Sequence, residues 1–423
     1  MNIWIFNASE IHAFSGNGQR AGRAMMQARA MVARGHEVHW FTSDFDHASK
    51  SFSREGNAEA ARAEGILLHP LSSLGYPRNV SIQRLRDHAH LKHQLEAEIA
   101  GMPNPDLILA SYPIIEFASV AVRYGNLREI PVVLDVRDMW PEIFVYGVPR
   151  WMQPLARPIL SFYGRSGRKA LASATALCGI TEEFVDWAVE KAGRPRQPMD
   201  RAFPLCFQRQ DITSAEFVEA DQFWTGLGLT PGSSRPVFAF LGTLGYSLNI
   251  EPLLAAAKKF GQGEGDPCFV FCGVGDRLEE YRRIAQGHRN ILFPGWVNSA
   301  QGQALLRLSW AGLNPLPLRP DFLASINGKT SEYLSAGLPI VSSPKEGAVF
   351  RLLREQSCGV SYDPLRTGDT EKVLRELLNS PERRQGMANA SERLYAEQFM
   401  AETVFERMAV YLEQVAQGGP KTG

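Results

Sequence analysis

The chain has 423 residues and 47.0 kDa, more than one hydrophobic core usually serves, so two or three domains are expected. A hydrophobic fraction of 44%, a charged fraction of 21%, 37 Gly and 26 Pro exclude disorder and collagen-like or low-complexity scaffolds. Lys plus Arg and Asp plus Glu both number 45, so no global field draws the chain onto nucleic acid, and any basic surface is local.

The chain opens on the apolar run Asn2-Ile3-Trp4-Ile5-Phe6, without a basic leader region or a small-residue cleavage site, which reads as a first strand and not a signal peptide. No apolar run approaches the roughly 18 residues needed to span a bilayer. Five cysteines are too few and odd in number for a disulfide framework, which points to a reducing compartment and a cytoplasmic location. Cys268 and Cys272 would lie roughly 13 Å apart along one strand, so they read as core packing and not as a metal pair.

After the first strand, Ser15-Gly16-Asn17-Gly18-Gln19-Arg20-Ala21-Gly22-Arg23 is a glycine-rich loop opening a helix. Glycines there let backbone N–H groups approach an anion at the helix N-terminus, which makes Gly16, Gly18 and Arg23 candidate binding residues. The loop starts nine residues beyond Phe6, too late for a dinucleotide turn, so an NAD reading with Asp44 on the ribose is set aside. A helix follows, with Ala21, Ala24 or Met25, Ala28 and Met31 or Val32 at helical spacing and Arg34-Gly35 at its end. Further strands are predicted at Val38 to Thr42, Ile66 to Leu68, Leu107 to Ala110, Val132 to Asp135 and Ala176 to Ile180. Asp44-Phe45-Asp46 spells a D-x-D but reads as solvated surface, and His88, His90 and His93, among Arg84, Arg86 and Lys92, read as a solvated helical face.

Leu134-Asp135-Val136-Arg137-Asp138-Met139-Trp140-Pro141-Glu142 follows a buried strand, where open α/β sheets bind ligands. Arg137, Asp138 and Glu142 are therefore candidate catalytic residues. Residues 143–181 contain Arg150, Arg157, Arg165, Arg168 and Lys169 and no Asp or Glu. With Trp151, Phe162 and Tyr163 interleaved, this stretch reads either as a solvated basic helix or as a patch for anionic lipid headgroups or a phosphorylated acceptor.

Turn residues at Arg194-Pro195-Arg196-Gln197-Pro198 and Thr230-Pro231-Gly232-Ser233-Ser234 flank a domain junction near 205 to 210. A second strand series follows at Val237 to Leu241, Phe269 to Cys272, Ile291 to Phe293, Gly312 to Pro315, Ile340 to Ser342 and Gly359 to Tyr362. The alternation of strands and helices gives an α/β class with two doubly wound parallel sheets. Domains are expected at 1–205 and 206–395, with a helix and tail at 396–423 crossing back to the first. Gly242-Thr243-Leu244-Gly245 forms a glycine turn after the first strand of the second series. Facing it is Asn327-Gly328-Lys329-Thr330-Ser331-Glu332, opening a helix that stops at Gly337. Lys329 is electrostatically misplaced at a helix N-terminus unless an anion binds there. Glu332, one turn on, can accept hydrogen bonds from two vicinal ribose hydroxyls.

The order of the N-terminal Gly loop, Arg34-Gly35-His36-Glu37-Val38, Asp135 to Glu142, Gly242 to Gly245 and Lys329 to Pro339 resembles the family-4 retaining glycosyltransferases. The likeness is to the bacterial group that builds O-antigen, capsule and exopolysaccharide. It implies the GT-B fold, two Rossmann-like domains with a cleft between them, the first binding the acceptor and the second the nucleotide sugar. By that resemblance Glu332 matches the ribose-binding second glutamate of E-x7-E. Asn327, Gly328, Lys329 and Thr330 match the loop beside the diphosphate, and Trp296 and Val297 match the base-binding segment. The first glutamate of that motif falls at Ala324, and the family's basic pair falls on Thr243 and about Leu248. Lys329, Arg23, Arg20 and Arg137 are candidates to replace the pair. The resemblance further implies a retaining enzyme with a saccharide or polyprenyl-diphosphate-linked acceptor; a positioned cation, helix N-termini and glycine-loop amides can meet the leaving diphosphate without a metal, and a UDP-sugar is favoured over a GDP-sugar as donor by how common it is. Its expected place is the inner face of the plasma membrane. A sugar-nucleotide epimerase and a non-catalytic nucleotide-sugar-binding subunit are the alternatives.

Overall fold

The computed structural model describes residues 1–10, 21–47, 49–52, 57–79, 81–148, 150–263 and 265–418. The chain divides into two compact units, Met1–Pro204 with Val404–Gly423, and Leu205–Thr403.

In the first unit the order is β1 (Asn2–Phe6), α1 (Arg23–Ala33), β2 (Glu37–Ser43), β3 (Phe45–Asp46), β4 (Ser51–Phe52), α2 (Asn57–Ala63), β5 (Ile66–Leu71) and α3 (Ile82–Ile99). It continues with β6 (Leu107–Tyr112), α4 (Ile115–Arg128), β7 (Val132–Val136), α5 (Gln153–Ser173), β8 (Ala176–Gly179), α6 (Glu182–Ala192) and β9 (Arg201–Ala202). Seven strands form a sheet in the order β5-β2-β1-β6-β7-β8-β9, with every adjacent pair parallel. The chain winds outward from β1 to β5, then returns to β6 on the other side of β1. The switch point therefore lies between β1 and β6.

The central strands are buried and mostly apolar because helices cover both faces. All residues of β6 and β7 are buried, and Trp4, Phe6 and Phe41 cluster with ring centroids 5.2 to 6.1 Å apart. Helix ends follow local chemistry. The Thr181 side chain accepts from the Phe184 N–H to start α6, and Gly193, at φ +63°, ends it.

The second unit carries α7 (Ser214–Gly226), β10 (Val237–Leu241), α8 (Glu251–Ala257), β11 (Cys268–Cys272), α9 (Leu278–Ile284), β12 (Ile291–Gly295), α10 (Ser299–Leu308) and β13 (Ala311–Pro315). It continues with α11 (Pro320–Ala324), α12 (Gly328–Ser335), β14 (Ile340–Ser343), α13 (Gly347–Gln356), β15 (Gly359–Ser361), α14 (Asp369–Leu378) and α15 (Pro381–Leu394). The last helix, α16 (Ala401–Ala416), counts with the first unit from Val404. The sheet order is β12-β11-β10-β13-β14-β15, again wholly parallel, with its switch point between β10 and β13. Two Rossmann-like α/β sheets are thus present, each doubly wound.

All twelve predicted strands are found, with ends that differ by up to three residues. The two-residue strands β3, β4 and β9 were not anticipated, being too short to carry a period. Cys268 and Cys272 are buried in β11, where burial pushes the Cys268 thiol up to about 11. The histidine reading needs correction. His93 is exposed, but His88 is buried on the inner face of α3 with its ring 5.9 Å from that of Trp140. Helix α3 presents His88, Leu91, Leu95 and Ile99 inward at helical spacing, and a histidine can stand in that series when the site supplies polar neighbours.

Candidate functional site

Both switch points carry the charged residues singled out in the sequence. In the second unit, Gly242 leaves β10 with φ +154°, a conformation that favours glycine. A Cβ there would collide with the Lys329 side chain and one on Gly273 with the Gly242 carbonyl, so small residues let two loops and a lysine converge. The Gly242 N–H donates to the Cys272 carbonyl at 3.0 Å, and the Leu244 N–H to that of Val274 at 2.9 Å, extending the β10–β11 pairing beyond the strands. Gly245 is buried in this turn, and Thr243 is exposed.

Helix α12 is aimed at the same place. Asn327 is its cap, accepting from the Thr330 N–H at 3.2 Å and the Thr330 hydroxyl at 2.9 Å. Its amide is in turn paired with Asn314 of β13 at 2.9 and 3.2 Å. Asn314 is fully buried, and it ties the helix start to the strand beside the switch point. The Tyr333 hydroxyl donates to the Leu313 carbonyl and accepts from the Leu241 N–H, bridging the ends of β13 and β10 where the strands part. Sequence reasoning missed Asn314 and Tyr333; the only available signal was their place, one in a strand end and one in the helix after it.

Lys329 stands in the first turn of α12, half-buried, with its Nζ 5.3 Å from the Phe240 ring centroid. Among the described residues no carboxylate lies within ion-pairing distance of it. Burial pulls its ammonium below the ordinary lysine value, with Glu332 opposing. Glu332 is buried one turn further on, while Trp296 and Val297 follow β12 at the same carboxyl edge of the sheet, Trp296 exposed. Gly242, Lys329, Asn327, Gly328 and Thr330 are therefore brought together, with Trp296 two strands away. Ala324 ends α11.

In the first unit, Asp135 at the end of β7 is wholly buried. Its carboxylate accepts from Arg23 Nε at 2.8 Å and Nη2 at 3.0 Å, from Gln27 at 3.0 Å and from Arg137 Nε at 3.0 Å. Burial alone would raise this carboxyl, but the Arg23 and Arg137 guanidinium groups outweigh it and hold it well below the usual range. Arg137 also pairs with Glu10 at 2.7 Å, and the second Glu10 oxygen caps α1 through the Ala24 N–H. The buried Arg23 thus faces Asp135, the Pro204 carbonyl and Met408, an arrangement that secures α1 to the sheet and to α16. This differs from the pyrophosphate role expected of it. Arg137 likewise meets two carboxylates. Asp138 is exposed beside it, and Glu142 pairs with Lys191 at 3.0 Å. Gly16, Gly18 and Arg20 lie outside the described residues.

Among the described residues no group of three or more His, Cys, Asp or Glu could hold a metal ion, and no helix is long and apolar enough to cross a membrane.

Comparison with known proteins gives these sites a setting. Residues 21–201 match the glycosyl transferase 4-like domain, and residues 235–380 match glycosyl transferases group 1. Alpha-D-kanosaminyltransferase of Streptomyces kanamyceticus is 23% identical over 256 residues, which is 58% of this chain and 62% of that protein's length. Among solved structures, sucrose-phosphate synthase from Thermosynechococcus elongatus has a TM-score of 0.69 at 14% identity, covering 99% of this chain and 100% of that one. HepE of Anabaena, solved in complex with UDP-glucose, has a TM-score of 0.65 at 13% identity, covering 98% and 100%. A 4-like domain followed by a group 1 domain accounts for most of the chain, and with two Rossmann-like sheets to match, it belongs to the glycosyltransferases of the GT-B type.

Proposed function

We propose that the protein transfers a sugar from a nucleoside-diphosphate sugar to a saccharide or lipid-linked saccharide acceptor, with the donor held at the switch point of the second unit. The observation that carries this reading is Lys329, a desolvated ammonium without a carboxylate partner among the described residues, set where α12 already directs its N–H groups. Glycosyl transfer needs stabilisation of the departing diphosphate, whose charge grows as the glycosidic bond breaks. A cation held ready in a low-dielectric site meets that charge without reorganising. The reading assigns the diphosphate to Lys329, Gly328, Thr330 and the Gly242 turn, the ribose to Glu332, and the base to the Trp296-Val297 segment. Because Lys329 and the helix N-terminus meet the charge, the reading requires no metal ion. It includes retention, with the departing phosphate oxygen taking the acceptor hydroxyl proton on the face it leaves.

Uridine is the base to test first, since HepE was solved with UDP and with UDP-glucose. UDP, GDP, ADP, CMP and NAD are titrated in a thermal-shift experiment. A ligand at 100 times its dissociation constant adds about 2.7 kcal/mol to native stability. One nucleoside diphosphate is expected to stabilise selectively; stabilisation by NAD alone, or by none of the five, rejects the donor site. A second reading, a nucleotide-sugar-binding subunit without turnover, draws on Ala324 and Thr243 standing where the family carries a glutamate and a basic residue. It retains the nucleotide shift but shows no product with any acceptor.

The reading places the enzyme in bacterial surface polysaccharide assembly, at the inner face of the plasma membrane. Support comes from α5 and the turn before it. Trp151, Leu155, Ile159 and Phe162 lie on one outward face and are 68 to 77% exposed, while Gly164, Gly167 and Leu171 face inward. Arg165 and Lys169 flank the apolar face, and 143–181 has no acid to repel anionic headgroups. Trp151→Glu combined with Phe162→Glu is expected to reduce cosedimentation with anionic vesicles at least tenfold at unchanged melting temperature. Equal sedimentation of variant and wild type removes the membrane surface.

A further inference from the structure

A cavity of about 270 Å³ opens at the amino ends of β10 and β13, where the Trp310 N–H donates to the Val237 carbonyl at 2.7 Å. One edge of it is the turn that the sequence placed beside the domain junction. There Gly232, at φ +80° after Pro231, lets the Ser233 N–H reach the Thr230 carbonyl at 3.1 Å. The 5 residues of β10 set this end of the sheet roughly 17 Å from the Gly242 turn, so the cavity is no part of the donor site.

Its lining holds Arg235, Arg307 and Arg384 and no Asp or Glu. Arg307 adds nothing to an excess, because it is half-exposed and pairs with Asp221 at 3.1 Å. The other two remain. Arg235 Nε donates to the Asp266 backbone carbonyl at 2.9 Å, while the Asp266 carboxylate is turned to the Gly263 N–H, also at 2.9 Å. The Arg384 guanidinium lies over the Trp310 ring, 4.6 Å from its centroid, and its buried Nε has no hydrogen-bond partner. Among the described residues neither arginine has a carboxylate within ion-pairing distance. Arg384 also stands in the first turn of α15, where the helix dipole disfavours a cation. Glu382 of that turn is exposed and outside the lining.

A lysine or histidine so placed can shed its proton, but a guanidinium cannot, so the excess charge persists at every pH the fold survives. An unmatched charge taken partly out of water is costly until an anion meets it. A guanidinium fork matches two phosphate oxygens at once, and an aromatic ring beneath it limits the orientations it must give up on binding. The Thr230 and Ser233 hydroxyls line the same cavity as neutral donors, the Ser233 oxygen already accepting from the Arg235 N–H at 3.2 Å. A volume just under the roughly 300–1,000 Å³ of drug-sized pockets has room for a phosphate group and a few further atoms, not for a nucleotide sugar.

We propose that this cavity binds a phosphate group, free or as the monoester of a small soluble metabolite, with Arg235 and Arg384 meeting its charge. The site rests on neither the donor assignment nor the transferase reading.

The full chain is titrated calorimetrically with inorganic phosphate and, separately, with glycerol 3-phosphate, at an ionic strength held constant with chloride. Wild type and Lys329→Ala are expected to bind one phosphate alike. Affinity is expected to fall at least tenfold in Arg235→Gln and in Arg384→Leu, since each removes a charge-assisted contact. Glutamine keeps a donor for the Asp266 carbonyl and leucine keeps an apolar contact with Trp310; cooperative melting reports that both are folded. Arg307→Gln, whose charge Asp221 already meets, is expected to stay within about threefold of wild type. Tighter binding of glycerol 3-phosphate identifies a phosphate monoester as the ligand, and tighter binding of inorganic phosphate identifies the free anion. The proposal is overturned by the absence of saturable binding in wild type, or by wild-type affinity in folded Arg235→Gln and Arg384→Leu. Loss of binding in Lys329→Ala overturns it too, because the phosphate then sits at the donor site, as does equal weakening in Arg307→Gln, the mark of a diffuse surface charge.

Discussion

Lys329→Ala is expected to lower kcat/KM by about 100-fold or more and to abolish stabilisation by the donor nucleotide, at an unchanged or slightly higher melting temperature. The magnitude follows from removing one preorganised charge from a developing anion, typically 10² to 10³ in rate. The stability side follows from burial. A lysine whose ammonium is desolvated without a carboxylate partner costs the free protein more than it returns, and alanine does not carry that cost. The sign with pH is also set. Because the folded value is lowered, the unfolded chain binds more protons between that value and about 10.4, so this residue makes stability rise with pH through that window. A bound diphosphate restores the charge, so nucleotide binding in the same window should take up a proton, read as a buffer-dependent binding enthalpy that the alanine variant lacks. Wild-type turnover in Lys329→Ala would falsify the donor site.

Asp135→Asn is expected to destabilise the first unit by about 3–5 kcal/mol, because it strands the buried Arg23 and the half-buried Arg137 around an amide that cannot accept from both. Urea unfolding followed through the first unit's tryptophans measures the loss. The folded carboxyl lies below its ordinary value of about 3.9, so its contribution is fully present above that value and is lost as pH falls below it. Wild type should therefore lose stability steeply below about pH 4, and the asparagine variant should lack that share of the acid limb. Glu10 and Arg137 close the same network. An asparagine variant within 1 kcal/mol of wild type shows that the network holds no such energy.

The two sheets were legible because a parallel strand buried on both faces is a nearly continuous apolar run. Val-Phe-Ala-Phe-Leu at β10 and Val-Val-Leu-Asp-Val at β7 say so without any partner in view. The single acid in the second run was visible too, and an aspartate in a strand that must be buried announces a buried cation. Which cation was not visible. Arg23 stands 112 residues from Asp135 in sequence, next to glycines that suggested an anion-binding loop, and only the fold, which brings the Arg23 and Gln27 side chains of α1 to the end of β7, assigns it to the carboxylate.

The same holds for the two switch points. Lys329 at a helix start and Gly242 after a strand are local oddities that can be read off the chain, because helix dipoles and glycine backbones act over a single turn. Asn314, Tyr333 and His88 carry no such local mark. Their roles come from which strand ends part at the crossover and which rings and amides meet there. The amino-acid sequence by itself determined the fold class, the strand series and the limits of the helices beside the two glycine turns, since those rest on short-range periodicity and capping. Tertiary structure alone decided which charges are neutralised and which are left facing a cavity, because a buried charge is set by neighbours the fold brings together, not by neighbours in sequence.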